Sequence, residues 1–222
     1  MYDYNETHKK TLEYFGGDEL ATSVFVNKYA LQDDKGNYLE LSPEDMHNRL
    51  ADEFFRIESK YENGMSRDEI YNLFKDFKYV VPQGSPMSGI GNEAKIQSLS
   101  NCFVIEAPED SYGGILKTDQ EQVQIMKRRG GVGFDVSTIR PKGMYTSNAA
   151  KTTDGIEVFL DRFSNSFRAV AQGGRSGALM LYISVHNPQV MDFIKIKRNL
   201  TRVTGANIYV RVTDEFMKAV KA

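Results

Sequence analysis

The sequence predicts an α/β protein, a small helical domain followed by strands and helices that alternate into a parallel sheet. Three observations predict it. Helix punctuation fills the first eighty residues, a Gly, Pro and Ser-rich stretch interrupts it at 80–91, and short apolar runs then alternate with amphipathic segments. At 222 residues and 41% hydrophobic the chain can bury a substantial core, in one or two domains.

The elements follow in order. Leu12 to Phe15 and Leu20 to Leu31 have helical spacing, are parted by Gly16-Gly17, and end at the turn-forming Asp33-Asp34-Lys35-Gly36-Asn37. Ser42-Pro43-Glu44-Asp45 supplies an N-cap, a first-position proline and first-turn acids, with Met46, Leu50, Phe54 and Ile57 behind them at helical spacing. Ser66-Arg67-Asp68-Glu69 is a capping box ahead of Ile70, Leu73, Phe74 and Phe77. Residues 80–91 cannot continue a helix, so the domain boundary falls here: a helical domain over 1–80 and a second domain over 81–222. In the second, strands are expected at Cys102 to Ile105, Val132 to Val136, Leu179 to Val185 and Asn207 to Val212. Helices are expected around Gln120 to Arg128, from Ile156 to Val170, from Pro188 to Ile196, and from Thr213 onward. In the long helix Ile156, Phe159, Phe163, Phe167 and Val170 share one face, and Asp154 with Glu157 forms a box at its start. Strands joined by crossover helices imply a parallel sheet whose carboxyl-end loops are the binding edge.

Charge excludes several functions. The 28 Lys and Arg nearly balance 30 Asp and Glu, with both signs scattered, so neither DNA nor membrane binding is expected. No apolar run approaches the roughly 20 residues of a membrane span. The polar start is not that of a signal peptide, and a lone cysteine, unable to form an internal disulfide, makes the cytoplasm the expected compartment. His8, His47 and His186 lack metal-ligand spacing and are structural or surface residues, so no metal site is expected.

Three glycine-bearing loops and one thiol remain. Arg129-Gly130-Gly131-Val132-Gly133 follows a helix whose register stops at Gly130; close ligand approach and a tight structural turn both fit. It matches neither GxGxxG nor GxxxxGK[ST]. Gln172-Gly173-Gly174-Arg175-Ser176-Gly177 is either a helix cap or a loop that brings backbone donors and one cation to an anion or a base. In Ser137-Thr138-Ile139-Arg140-Pro141-Lys142-Gly143, Arg140 and Lys142 are either phosphate ligands or a solvated basic patch. Cys102, opening an apolar strand, is either a small buried hydrophobe or a reactive thiol.

Taken together, Ser85-Pro86-Met87, Leu99 to Ile105, Asp110-Ser111, Arg129 to Gly133, Ile139 to Gly143, Gln172 to Ala178 and Val210 to Met217 stand in the order and spacing of ribonucleotide reductase catalytic subunits. The chain resembles the amino-terminal part of such a subunit, of class I or class II. The resemblance implies a ten-stranded α/β barrel of two antiparallel halves preceded by a helical domain, of which this chain holds the first, incomplete part. The regulatory ATP-binding cone that opens many relatives is expected to be absent.

By the same resemblance, Cys102 supplies a reducing equivalent as the ribose 2′-hydroxyl leaves, and forms a disulfide with a cysteine beyond residue 222. Ser85 binds substrate phosphate. Asn101, where many relatives have serine, lies beside the nucleotide, and Gly130, Gly131 and Gly133 let the backbone approach it. Asp110, with Ser111 next to it, meets the sugar of a dNTP or ATP effector, Arg140 its phosphates, and Arg175 a base or phosphate. The implied partners are a complementary carboxyl-terminal catalytic portion, a second copy of the chain through barrel helices, and nucleotide ligands. The implied radical source is adenosylcobalamin or a radical-generating metallo-subunit, and the implied reductant thioredoxin or glutaredoxin; the segment alone is expected to hold no cofactor. The role implied is in deoxyribonucleotide biosynthesis for DNA replication. The alternative is a non-catalytic nucleotide-binding and dimerisation module derived from the same fold.

Overall fold

The computed structural model describes residues 1–93, 95–170 and 177–222, and the chain divides into two compact units, Met1–Asn101 and Cys102–Ala222. The expected boundary after residue 80 thus differs from the division by contacts. Segment 81–101 groups with the helices because Arg49 donates to the carbonyls of Met87 and Ile90, and within the segment Asn101 Oδ1 accepts the Ser85 N–H at 2.9 Å, holding its end to that anchored part.

The first unit is helical. α1 (Tyr4–Tyr14) begins well before Leu12, because Asp3 and Glu6 form a capping box outside the apolar run. α2 (Glu19–Lys28) is capped by Asp18, α3 (Pro43–Glu58) by Ser42, and α4 (Arg67–Phe74) by the Ser66–Glu69 box. Met46, Leu50 and Ala51 of α3 pack with Phe25, Val26, Ile70 and Phe74 into a buried core. α3 outruns that core, so Phe54 and Ile57 stay 42% and 40% exposed despite their helical spacing. The Gly, Pro and Ser-rich stretch, expected to lack helix, contains the short α5 (Gly84–Gly89). Pro86 sits in its first turn, where a missing N–H breaks no helical bond, and the Ser88 hydroxyl donates to the Gly84 carbonyl at 2.9 Å.

The second unit alternates β1 (Cys102–Val104), α6 (Tyr112–Met126), β2 (Gly131–Asp135), α7 (Ile156–Val170), β3 (Leu179–Ser184), α8 (Val190–Ile196), β4 (Asn207–Arg211) and α9 (Asp214–Lys221). The strands form one parallel sheet in the order β1-β2-β3-β4, the α/β arrangement expected. α6 starts at Tyr112 rather than near Gln120, since the Ser111 hydroxyl caps it by accepting the Gly114 N–H at 3.0 Å. It ends at Met126, and the left-handed residue that follows is Arg129 (φ 69°), not Gly130. At the start of α7 the Ile156 N–H donates to Gln189 Oε1 at 3.3 Å, a cap from outside the expected Asp154–Glu157 box.

Alternation along the strands sets the two faces of the sheet. Val132, Phe134, Leu179, Leu181 and Ile183 point to one face and are buried against Ile156, Leu160, Phe163, Phe193 and Ile196 of the helices. Phe134 and Phe163 meet edge to face at 4.9 Å between centroids. Leu160 belongs to this core although it lies outside the expected apolar stripe of α7; Phe159, Phe167 and Val170 are only partly buried. The other face carries Cys102 and Val104 of β1, Gly131 and Gly133 of β2, Met180 of β3 and Asn207 and Tyr209 of β4. Among the described residues no helix is long and apolar enough to cross a membrane.

Candidate functional site

The two ends of the sheet differ in chemistry. At the amino ends stands Cys102, the first residue of β1, and it is exposed, which removes the reading of a small buried hydrophobe. Register pairs Cys102 with Gly131 and Val104 with Gly133, so β2 raises no side chain on that face at either position. The glycines are not equivalent. A Cβ on Gly130 would lie 2.5 Å from Ile125 Cγ2 and 2.9 Å from the Phe103 ring, so packing alone demands glycine there. At Gly133 the nearest atom would be Met180 Cβ at 3.5 Å, ordinary contact, so packing does not explain it.

At the carboxyl ends, the loops leaving β1 and β2 are joined where the Thr138 hydroxyl donates to the Pro108 carbonyl at 2.6 Å. Between them and α6 and α7 lies a cavity of 510 Å³. Asp110, Ser111, Tyr112 and Arg140 line one side; Thr146, Ser147, Asn148, Thr152 and Thr153 of the following loop line another; Phe159 and Arg162 project from α7. Three of the four expected effector residues, Asp110, Ser111 and Arg140, are therefore brought together, while Arg175 lies outside the described residues. Lys142 is exposed and does not line the cavity.

Arg140 organises this end. Its backbone N–H and Nε donate to the two Asp110 carboxylate oxygens at 3.1 and 2.7 Å, and Nη2 donates to the Asp110 carbonyl at 3.2 Å. Nη1 donates to the Tyr145 carbonyl at 2.7 Å, pinning the loop after β2. Both charged side chains are about a third exposed, at 34% and 35%, so solvent and ligand reach them. Ser111 uses its hydroxyl oxygen as the α6 cap. Arg162 pairs with Asp119 at 3.0 Å, and Asp119 also accepts from Ser166, joining α6 to α7. Arg162 and the Thr and Asn residues of the loop were not marked as candidates in the sequence. The polar, turn-forming composition of 146–154 is the only sign of the loop residues and carries no chemistry by itself, and nothing in the local sequence singles out Arg162 on α7.

In the first unit, Ser85 is fully buried, and its hydroxyl is one of the buried polar groups with no hydrogen-bond partner among the described residues. Asn101 is committed on both sides of its amide: Oδ1 accepts the Ser85 N–H, and Nδ2 donates to Gln83 Oε1. A serine at 101 has too short a side chain to span both contacts, so the asparagine takes on a bridging task within this unit. His47 is buried at 1% exposure, edge-on to Phe77 at 4.6 Å, and burial pushes its imidazole down to about 4. His8 pairs with Glu19, and His186 meets the Thr213 hydroxyl.

Comparison with known proteins agrees with this geometry. The model of the ribonucleotide reductase barrel domain matches residues 100–222. The vitamin B12-dependent ribonucleoside-diphosphate reductase of Mycobacterium tuberculosis is 29% identical over 206 residues, which is 90% of this chain and 29% of that protein. The ribonucleoside-diphosphate reductase large chain of Neurospora crassa is 32% identical over 69% of this chain and 17% of its own length. The corresponding large subunit of variola virus is 30% identical over 69% of this chain and 20% of its own. The chain thus spans less than a third of the length of these relatives. With the barrel-domain match covering more than half of the chain, and a parallel sheet that carries a thiol at one end and an Asp–Arg cavity at the other, the chain belongs to the ribonucleotide reductase large-subunit family.

Proposed function

We propose that this chain is the amino-terminal portion of a ribonucleotide reductase catalytic subunit, contributing a redox thiol and an effector-nucleotide site, and that turnover requires a complementary carboxyl-terminal portion. The observation that carries this reading is Cys102: an exposed thiol opening β1, paired in register with Gly131 on the sheet face away from the helices. Reduction at the 2′-carbon needs two electrons. Two thiols supply them, the 2′-hydroxyl leaves as water, and a disulfide between Cys102 and a cysteine of the complementing portion holds the oxidised product until thioredoxin or glutaredoxin reduces it. Gly131 and Gly133 keep the backbone low beside the thiol, and Ser85 and Asn101 serve the nucleotide. Adenosylcobalamin or a radical-generating subunit supplies the initiating radical; the B12-dependent name of the Mycobacterium relative favours the first.

At the other end of the sheet a deoxynucleoside triphosphate effector occupies the cavity. Its phosphates compete for the Arg140 guanidinium, and the Asp110 carboxylate, released from that pair, accepts from the sugar hydroxyl. Pairing of two copies through barrel helices closes the cavity.

The test is Cys102→Ser in the assembled reductase. Thiol-dependent turnover is expected to vanish while effector affinity is unchanged; undiminished turnover refutes the reading. The non-catalytic alternative is favoured if the chain binds effector and no complementing portion restores turnover.

A further inference from the structure

Arg49 lies on α3, yet its guanidinium serves α5. Its side chain is 12% exposed and that of its partner Glu40 4%. Nε donates to Glu40 Oε1 at 2.7 Å, Nη2 to the Met87 carbonyl at 2.8 Å, and Nη1 to the Ile90 carbonyl. Glu40 is itself fixed, since Oε2 accepts the Leu31 N–H at 2.8 Å and its backbone carbonyl accepts from the Thr7 hydroxyl at 3.4 Å. The exit of α5 is shaped to this contact. Gly91 has φ +71°, and a Cβ there would lie 2.9 Å from Arg49 Cγ. From the other side Asn101 takes the Ser85 N–H, while Gln97 Nε2 donates to the Ser85 carbonyl at 3.3 Å and to the Ser88 hydroxyl at 3.2 Å.

The backbone of Ser85 is thus held by Asn101 and Gln97, and the far end of α5 by Arg49. What is left is the Ser85 hydroxyl, wholly buried and without a partner among the described residues. Buried polar groups are nearly always satisfied, so this hydroxyl keeps a hydrogen-bonding capacity that the described residues do not use. A buried guanidinium is weak evidence of stabilisation, because desolvation offsets its attraction to a carboxylate. The geometry here uses it in three directions at once, which a lysine ammonium on a flexible stem does not reproduce.

We infer that Arg49, braced by Glu40, is a positioning residue for substrate binding: by gripping the Met87 and Ile90 carbonyls it fixes the α5 backbone from which the Ser85 hydroxyl meets the phosphate of the ribonucleotide. This rests on the assignment of Ser85 to substrate phosphate made under the proposed function. Arg49 acts through α5 and touches no substrate atom.

The experiment is a double-mutant cycle in the assembled reductase with CDP as substrate, reading KM and kcat separately and effector affinity by calorimetry. Ser85→Ala is expected to raise KM about tenfold with kcat little changed, the loss of one charge-assisted hydrogen bond. Arg49→Met is expected to raise KM by a similar factor and Arg49→Lys by about threefold, with effector affinity unchanged. Added to Ser85→Ala, Arg49→Met is expected to cost less than about twofold more, because it acts through a hydroxyl already gone. Fully additive effects, or wild-type KM in the Arg49 variants, overturn the inference. Failure of both Arg49 variants to fold also overturns it, since Arg49 then serves the scaffold alone. Wild-type KM in Ser85→Ala by itself refutes the assignment of Ser85, a failure distinct from that of Arg49.

Discussion

Replacing His47 by phenylalanine should remove an acid lability built into the first unit. The imidazole is 1% exposed, packs edge-on against Phe77, and has its affinity for a proton lowered from the ordinary 6.5 to about 4, chiefly by burial and against the smaller opposing pull of Asp76. The folded state therefore holds His47 neutral while the unfolded chain protonates it near 6.5, so stability is complete above that pH and drains away as pH falls toward 4. At about 1.4 kcal/mol per pKa unit, the loss between pH 8 and pH 4.5 is about 2.5 kcal/mol, levelling off near 3.5 kcal/mol well below pH 4. Glu40 has the opposite sign, its carboxyl raised by burial, but it is common to both proteins and cancels in their difference. The assay is urea unfolding followed by circular dichroism, with hydrogen exchange over α3 as the local readout. Wild type should lose protection in α3 across this window and His47→Phe should hold it. Parallel pH profiles, differing by less than about 0.5 kcal/mol throughout, would show that desolvation of the imidazole is not the cause.

The remaining predictions concern the second unit. Gly130→Ala should destabilise the chain by roughly 1–3 kcal/mol in denaturant titration, because the new Cβ meets Ile125 at 2.5 Å and the Phe103 ring at 2.9 Å. Gly133→Ala should leave the melting temperature nearly unchanged yet impair turnover of the assembled reductase, since a methyl fits against Met180 but occupies the face beside Cys102. Arg140→Ala should weaken deoxynucleoside triphosphate binding by about tenfold or more in calorimetry and reduce its dependence on salt, the signature of a lost phosphate contact. Phe163→Ala, which removes the partner of Phe134 from a fully buried position, should cost about 3–5 kcal/mol in equilibrium unfolding.

Where local chemistry decides an element, the sequence shows it. Ser42-Pro43 and the Ser66–Glu69 box mark the starts of α3 and α4, and the apolar spacing of 156–170 gives α7 its observed bounds. The parallel order of the four strands follows from their alternation with helices. What the chain hides is set by tertiary contact. α5 forms in a stretch of helix breakers because Arg49, 38 positions before Met87 and 41 before Ile90, donates to the carbonyls of both. α6 starts early because one serine caps two glycines that look like a loop. Cys102, Asp110 and Arg140 were legible as candidates, but only through their collective order. The pairing of Asp110 with Arg140, the lining supplied by Arg162 and the different needs of Gly130 and Gly133 depend on distances that no linear pattern records.

The parallel sheet has one further consequence. β2 is five residues long, so its two ends are separated by about 15 Å at the usual strand rise. Gly131 and the pairing with Cys102 lie at one end, and the loop that places Arg140 leaves from the other. One stiff rod therefore sets both the spacing and the handedness of two chemically unlike sites. A single residue inserted within β2 turns every later side chain of the strand over, burying what now lies on the face that carries Cys102 and lifting Phe134 out of the core, while displacing the loop that bears Arg140 by one step. The length of this strand is thus a fixed dimension of the sheet, as the separation of two bearings is of a shaft.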